Sequence, residues 1–446
     1  MANDLSRRGF LGAAAAGAGA AAAGALSAAS YSRVIGANDR INIGLIGTGG
    51  RSRGHRRMAK TSAKDMNVEI IAVCDIWNYH RDMATEDVEK KFGRKPQAFK
   101  YSEDLLALKD VDAVMIATGD FQHAKILVDV VRAGKDCYCE KPMANVLEEA
   151  KLARDTVLGS KQIVQMGSQW VSDPYQNAVR DIVRSGSLGK ISRIEQVWNK
   201  NEERWHYPNN PALKYLSEET TDWKRWLLGK PYRPFDPVVY TEFRLHKDFS
   251  SGIADQWMSH GSGLVHFYMD EDCPVSMVAN GGIYVWEDGR ENPDTFTAVA
   301  TYKKGFSFVY QTQFGNSFGT HSAIMGKNGT LWAEGGEGSQ KWTLTPKGGK
   351  ATDWRAARPD LHTIAEEKAI TVEGAPPPTM NPSDDSKGHF DNWVTCMRSR
   401  KQPNGDIHTG IKHAVAIIMA AHSYWQGKKL WWDEKNEQIL DHPPAA

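Results

Sequence analysis

The sequence predicts an α/β chain: a doubly wound parallel sheet first, then an α+β domain carrying a mostly antiparallel open sheet. Three observations predict it. From Ile41 onward, short wholly apolar runs such as VEIIAVC and VDAVMIAT alternate with amphipathic stretches, the pattern of strands covered by helices on both faces. After Gly167 the texture changes to shorter alternating runs separated by turn signals, Lys303-Lys304-Gly305 and Lys327-Asn328-Gly329 among them. The chain has 446 residues, enough for two separate cores.

Residues 1–29 read as a targeting segment. Ser6-Arg7-Arg8-Gly9-Phe10-Leu11 precedes an uncharged Ala/Gly stretch, which resembles a twin-arginine export signal. Ala and Gly carry too little apolar area for a good bilayer span, so an exported, periplasmic or extracytoplasmic protein without stable membrane insertion is expected. Residues 30–40 form an arm. Residues 41–166 are the parallel-sheet domain, with strands expected at Ile41–Ile46, Val68–Cys74, Val111–Thr118, Asp136–Cys139 and Gln162–Met166. Helices are expected near Tyr79–Lys91, Gln122–Ala133 and Val146–Leu158. Residues 167–380 form the second domain, with a helix at Tyr175–Arg184 and strands at Ile191–Trp198, Val275–Trp286, Thr295–Tyr302, Phe306–Phe314, His321–Met325, Thr330–Ala333 and Lys341–Leu344. Residues 381–446 bring a loop over Asn381–Ser386, helices near Phe390–Arg400 and Ile407–Tyr424, and a tail.

Lys+Arg number 55 against 54 Asp+Glu, a formal charge of +1, so no global field exists to hold nucleic acid or an anionic membrane. Five cysteines are a poor disulfide framework for so long a chain. Cys137 and Cys139 point to one face of a strand, where they read as small buried hydrophobes rather than metal ligands, and no metal is expected.

The strongest local signal is INIGLIGTGGRSRGH. Gly47, Thr48, Gly49, Gly50 and Arg51 lie where a strand ends and a helix begins, the turn that brings a pyrophosphate to backbone N–H groups. Ser52 stands where the third glycine of such motifs usually lies. The next strand ends in Asp75, placed to bind the adenosine ribose hydroxyls, which predicts a Rossmann domain holding NAD. NADP stays open because Arg51 or Arg53 could offset the carboxylate.

GLIGTGG, AVCD, IATGDFQH and above all Glu140-Lys141-Pro142 resemble the Gfo/Idh/MocA oxidoreductases, named for glucose–fructose oxidoreductase and inositol dehydrogenase. The resemblance covers nearly all of the chain after its signal. It implies that Lys141 contacts substrate and nicotinamide ribose, that Pro142 lies near the nicotinamide, and that Thr118, Asp120 and His123 belong to a cofactor-contacting loop. It also implies a homo-oligomer and a small carbohydrate substrate. From the residues alone, a lysine at the carboxyl edge of a buried strand sits where ligands bind and can polarise a hydroxyl.

The second motif, Gly252-Ile253-Ala254-Asp255-Gln256-Trp257-Met258-Ser259-His260, is expected on a helix. In the dehydrogenases it resembles, the histidine and an acid four residues earlier handle the hydroxyl proton. Here His260 is preceded at that spacing by Gln256, which cannot titrate, while Asp255 lies about 100° away around the helix. Lys141, His260 and Gln256 are thus the candidate catalytic set. His260-Gly261-Ser262-Gly263 is similar to a stretch of the NAD-dependent α-N-acetylgalactosaminidases of the same superfamily. Gln169 and Trp170 occupy a segment that often touches substrate in the family. Trp205, His206 and Tyr207 open an aromatic stretch suited to walling a sugar site, and Asp255 joins them as a substrate candidate.

The leading expectation is an exported NAD(P)-dependent oxidoreductase acting on a sugar or cyclitol, with a tightly held cofactor. Two alternatives stand beside it: a redox-neutral NAD-dependent glycosidase, and a non-catalytic sugar-binding protein.

Overall fold

In a computed structural model of the chain, the structure describes residues 39–336, 338–346, 366–378 and 387–444. The signal, all but the last two residues of the arm, and the 381–386 loop lie outside the described residues. From Ile41 onward the chain is one compact unit.

Strand β1 (Ile41–Ile46) leads through Gly47–Gly49 into α1 (Gly50–Ser62), followed by β2 (Val68–Cys74), α2 (Asn78–Phe92), β3 (Gln97–Phe99), α3 (Ser102–Leu106), β4 (Ala113–Ile116), α4 (His123–Arg132), β5 (Asp136–Cys139), α5 (Leu147–Leu158) and β6 (Val164–Met166). These six strands form one parallel sheet in the order β3-β2-β1-β4-β5-β6. The order reverses between β1 and β4, and a ligand crevice opens at the carboxyl ends of the strands beside such a reversal. All seven residues of β2 and all four of β4 are buried, which is why these segments lack polar alternation.

The second half begins with α6 (Pro174–Arg184) and β7 (Ile191–Val197). A long insertion carries only the short α7 (Trp223–Leu227) and α8 (Pro237–Thr241). Helix α9 (Ser259–Met269) follows, then β8 (Ser276–Gly282), β9 (Thr295–Thr301), β10 (Ser307–Gln313), β11 (His321–Gly326), β12 (Gly329–Glu334), β13 (Trp342–Pro346), β14 (Lys368–Ala369), α10 (Lys387–Ser399), α11 (Ile407–Gln426), β15 (Leu430–Asp433) and β16 (Gln438–Leu440). The second sheet has ten strands in the order β14-β13-β12-β11-β7-β10-β9-β8-β15-β16. Its neighbours pair antiparallel except β7 and β10. The fold is therefore a Rossmann-type parallel sheet plus a mostly antiparallel open sheet.

Three departures from the sequence expectation have physical causes. Strand β8 stops at Gly282 rather than Trp286, because Asp294 turns the chain by accepting the N–H groups of Tyr284, Val285 and Trp286. The tail is not simply a tail, since β15 and β16 extend the second sheet. Helix α10 returns to the first domain, where Phe390, Trp393 and Val394 pack with Ile43, Val68 and Tyr138 on one face of the parallel sheet. The opposite face shares a continuous core with α11 and the second sheet. Cys137 and Cys139 both lie in that shared core, their thiols raised by burial, and all five cysteines are free.

Candidate active site

The turn after β1 is fixed by backbone geometry. Gly47 adopts φ +78°, and a Cβ there would meet the Ala117 carbonyl group and the Thr118 Cγ2 at 2.7 Å, so only glycine lets the turn press against the end of β4. Thr48 is latched to the end of β2. Its N–H and hydroxyl donate to Asp75 Oδ2 at 2.8 and 3.1 Å, while the Trp77 N–H donates to Asp75 Oδ1 at 2.9 Å. Asp75 thus orders the loop with three of its roughly four acceptor positions, beyond the ribose role its placement suggests.

Gly49 precedes α1 without a side-chain cap, a Cβ on Gly50 would meet nothing within 4 Å, and the first turn carries no acid. Uncapped N–H groups at a glycine turn, with the Arg51 charge beside them, form an anion site suited to a diphosphate. Arg51 Nε donates to Glu140 Oε1 at 2.7 Å, and His55, one turn further along α1, shares the same oxygen at 2.9 Å. Burial works to raise the Glu140 carboxyl, but the Arg51 charge and the His55 contact outweigh it and hold the group well below the usual carboxylate range. Burial also keeps His55 below its ordinary value. Among the described residues the strong cation on Glu140 is therefore Arg51, and the bond ties α1 to the end of β5.

Lys141 follows at the carboxyl edge. From Asp136 to Ala144 every residue is buried except Lys141. Its ammonium donates to the Gln256 carbonyl, on the other domain. The segment that meets it is not a plain α-helix: Ala254–Met258 forms a π turn, with the Ser259 N–H returning five residues to the Ala254 carbonyl, before α9 begins. The wider winding changes the faces that 100° per residue assigns. Gln256 and Asp255 both turn toward one buried carboxylate. Gln256 Nε2 donates to Asp120 Oδ2 at 2.6 Å, and the Ser250 hydroxyl lies 2.8 Å from Asp120 Oδ2 and 3.3 Å from Asp255 Oδ2. Asp255 Oδ2 also accepts the Ser251 N–H at 2.7 Å. Burial, then the neighbouring Asp120, pushes the Asp255 carboxyl up to about 7. Gln256 therefore braces Asp120 and anchors Lys141 through its carbonyl, and Asp255 is fully buried.

His260 repeats the pattern of Lys141: from Phe249 to His266 every residue is buried except His260. Burial, then the Lys141 charge, holds its imidazole well below the ordinary histidine range. Its Nδ1 has no partner among the described residues, and Trp170 lies beside it with ring centroids 6.3 Å apart and its own Nε1 unpaired. Gln169 is buried next to Trp170. His123 Nδ1 donates to the Pro142 carbonyl oxygen, 2.7 Å away, leaving Nε2 unpaired, and the Thr118 hydroxyl is likewise unpaired. These buried, unpaired polar atoms on Thr118, His123, Trp170 and His260 are the groups available to a bound ligand.

The remaining substrate candidates lie elsewhere. Trp205 is a core residue, packed edge-on against Phe314. His206 Nδ1 and the Tyr207 N–H both engage Glu242, at 2.8 and 2.6 Å. They order the insertion rather than meeting Lys141. Sequence reasoning also missed Arg244, Ser250 and His413. Arg244 Nη2 donates to Asp120 Oδ1 at 3.2 Å, and His413 Nε2 accepts the Met143 N–H at 3.1 Å. Only His55, four residues from Arg51 on the same helix face, carried a readable spacing. Among the described residues no cluster could hold a metal ion, and no helix is long and apolar enough to cross a membrane.

Residues 41–168 match the family model described as oxidoreductase family, NAD-binding Rossmann fold. The nucleotide domain belongs to the Gfo/Idh/MocA family. The cofactor such a domain takes is NAD. The inositol 2-dehydrogenase of Burkholderia lata is 27% identical over 217 residues, covering 48% of this chain and 61% of that enzyme, and its counterpart from Serratia proteamaculans is 29% identical over 195 residues, 43% and 56%. The chain thus spans about three fifths of the length of the Gfo/Idh/MocA relatives it matches. In fold it resembles a levoglucosan dehydrogenase solved with NADH (TM-score 0.66, 15% identity, 91% of this chain and 100% of that one) and an oxidoreductase domain protein from Kribbella flavida (0.66, 18%, 90% and 100%).

Proposed function

We propose that the chain is an NAD-dependent oxidoreductase acting on a secondary alcohol of a sugar or cyclitol. One observation carries the reading: two otherwise buried segments from different domains each open at a single polar side chain, Lys141 and His260, and the Lys141 charge acts on His260 while its ammonium donates to the Gln256 carbonyl. The names of similar proteins, inositol 2-dehydrogenase and levoglucosan dehydrogenase, support a polyhydroxy substrate.

Bound NAD supplies the hydride acceptor. The α1 amides and Arg51 hold the diphosphate, while Thr118 and His123 offer unpaired atoms to the nicotinamide end. Neutral His260 accepts the hydroxyl proton. No described residue pairs with its Nδ1, which leaves the ring able to take that proton. The Lys141 ammonium, held by the Gln256 carbonyl, stabilises the developing alkoxide and keeps His260 neutral. Gln256, Asp120 and Arg244 hold the π turn in place.

The test is to screen cyclitols and sugars for NADH formation. With the best substrate, Lys141→Met and His260→Ala should each lower kcat/KM by about 10³-fold, while NADH binding, followed by its fluorescence, changes by less than about threefold. Loss of NADH binding in both variants, or full turnover in either, contradicts the assignment. Release of nitrophenol from nitrophenyl glycosides without net NADH would favour the glycosidase chemistry instead.

Export by the twin-arginine route, homo-oligomerisation and tight cofactor retention belong to the same proposal. Retention is supported by the insertion, which clasps the strand ends: Trp77 Nε1 donates to Tyr215 O, the Asn78 N–H to Thr220 O, and Gln122 Nε2 to Trp226 O, at 3.2, 3.0 and 2.6 Å.

A further inference from the structure

A second cavity, of about 460 Å³, lies away from the Lys141 crevice, between the start of α5, the insertion and the carboxyl end of α11. Its separation can be read along α11. His413 touches the loop after Lys141, whereas His422 and Trp425 line the cavity nine and twelve residues later, roughly 13–18 Å along the axis at 1.5 Å per residue.

Lys230, Arg233 and Lys247 line the cavity together with Asp248, while Asp255 and Glu149 also act on Lys230 from behind the wall. None of the three cations forms an ion pair with a described residue; Lys230 Nζ lies only over the Phe121 ring, 5.9 Å from its centre. Glu149, further back, is already paired with Lys125 at 3.1 Å. Burial pulls the Lys230 ammonium below its ordinary value, the direction a bound anion reverses. Three cations at one cavity, none of them in an ion pair with a described residue, are placed to take an anionic group of a ligand.

Two aromatic rings complete the walls: Tyr232 is 71% exposed and Trp425 41%. Exposed aromatic faces take the apolar face of a sugar ring, and a volume of this size suits a small ligand. Asp248 does not suit an anionic group, but it accepts hydrogen bonds from hydroxyls, and Asn145 and Ser251 line the floor with further polar groups.

We propose that this cavity binds an anionic saccharide, its ring against Trp425 and Tyr232 and its carboxylate or phosphate among Lys230, Arg233 and Lys247. Its three cations are not part of the hydride-transfer centre, although Asn145 and Ser251 bond to Asp255 beside it; its occupancy can be read without turnover, so this proposal and the proposed activity fail independently.

The test is isothermal titration calorimetry of the full chain with four probes: glucuronate, glucose 6-phosphate, glucose and inorganic phosphate. Saturable binding of at least one charged sugar is expected, about tenfold or more tighter than glucose, with the tighter of the two naming the anion. Arg233→Gln combined with Lys247→Gln should weaken that binding at least about tenfold. Trp425→Ala should weaken it also, and Lys141→Met should leave it unchanged. Thermal melts of each variant report folding, and Trp425→Ala, which deletes a partly exposed ring, serves if the double variant fails to fold. Absence of saturable binding by both charged sugars overturns the proposal. So does affinity that survives both the double variant and Trp425→Ala, affinity lost in Lys141→Met, or inorganic phosphate binding as tightly as the sugar phosphate.

Discussion

The nucleotide domain and the insertion between Asn199 and Ser250 flank the same crevice but are stabilised in opposite ways. The nucleotide domain rests on parallel ladders whose strands are buried on both faces. The insertion has no strand of its own, two five-residue α-helices and two short 3-10 turns, at Pro211–Tyr215 and Phe243–Leu245. It is held by stacked rings: Trp223 on Trp226 at 4.8 Å, Trp226 on Tyr240 at 5.2 Å, and Phe249 against Trp226 at 4.9 Å. Trp77 and Phe121, from the ends of β2 and β4, complete that cluster. The insertion therefore borrows its core from the carboxyl edge of the sheet, where the dinucleotide lies. One region is ordered by its own backbone, the other by the rim of the binding crevice.

Breaking the aromatic cluster should give the largest effect. Trp226→Ala is expected to cost about 3–5 kcal/mol. Hydrogen exchange should show loss of protection between residues 199 and 250 while β1, β2 and β4 stay protected, and bound NADH should leave faster. Uniform loss of protection would mean that the two regions are one cooperative unit.

That contrast also explains what the sequence made legible. The ends of β1, β2 and β5 are readable to the residue because apolar runs bounded by turn residues permit little else. Lys141 and His260 stand out through motifs, Glu140-Lys141-Pro142 at a strand edge and the 252–260 helix segment, that resemble the family's. Strand β3 escapes notice because it is three residues long and exposed. The π turn escapes because nothing local distinguishes it from α-helix, and it is what sends Asp255 and Gln256 to Asp120. The aromatic stretch shows that rings are present without showing which are packed. Trp205, Trp223 and Trp226 are core, and Tyr232 faces an open cavity.

On the nucleotide side, Arg51→Met leaves Glu140 buried with only neutral His55 beside it. About 2 kcal/mol of stability should be lost, a value discounted for the 27% exposure of Arg51, and NADH affinity should fall about tenfold. Protection within the insertion should not change, which calorimetry and hydrogen exchange together can check.

Acid and alkali should act on different groups. Burial first lowers His266 and His413 to about 3 in the folded chain, below the ordinary 6.5, so their contribution is complete above pH 6.5 and is lost as pH falls toward 3. Asp255 behaves oppositely: raised to about 7, it contributes fully below about pH 4 and loses that contribution as pH rises through 7. Asp255→Asn should therefore flatten the alkaline side of the melting-temperature profile while leaving the acid side unchanged. The smallest effect belongs to Thr48→Ala, which removes one hydroxyl contact to Asp75 and should cost about 1 kcal/mol by denaturant titration.

The central claim is that amides at the turn after β1 hold a diphosphate and so deliver a nicotinamide to Lys141 and His260. A crystal structure of the full chain grown with NAD tests it most directly. The account predicts the diphosphate against Gly49–Arg51 and the nicotinamide beside Lys141, with His260 on the substrate side. A dinucleotide bound elsewhere, or a nicotinamide turned away from Lys141 and His260, would contradict it.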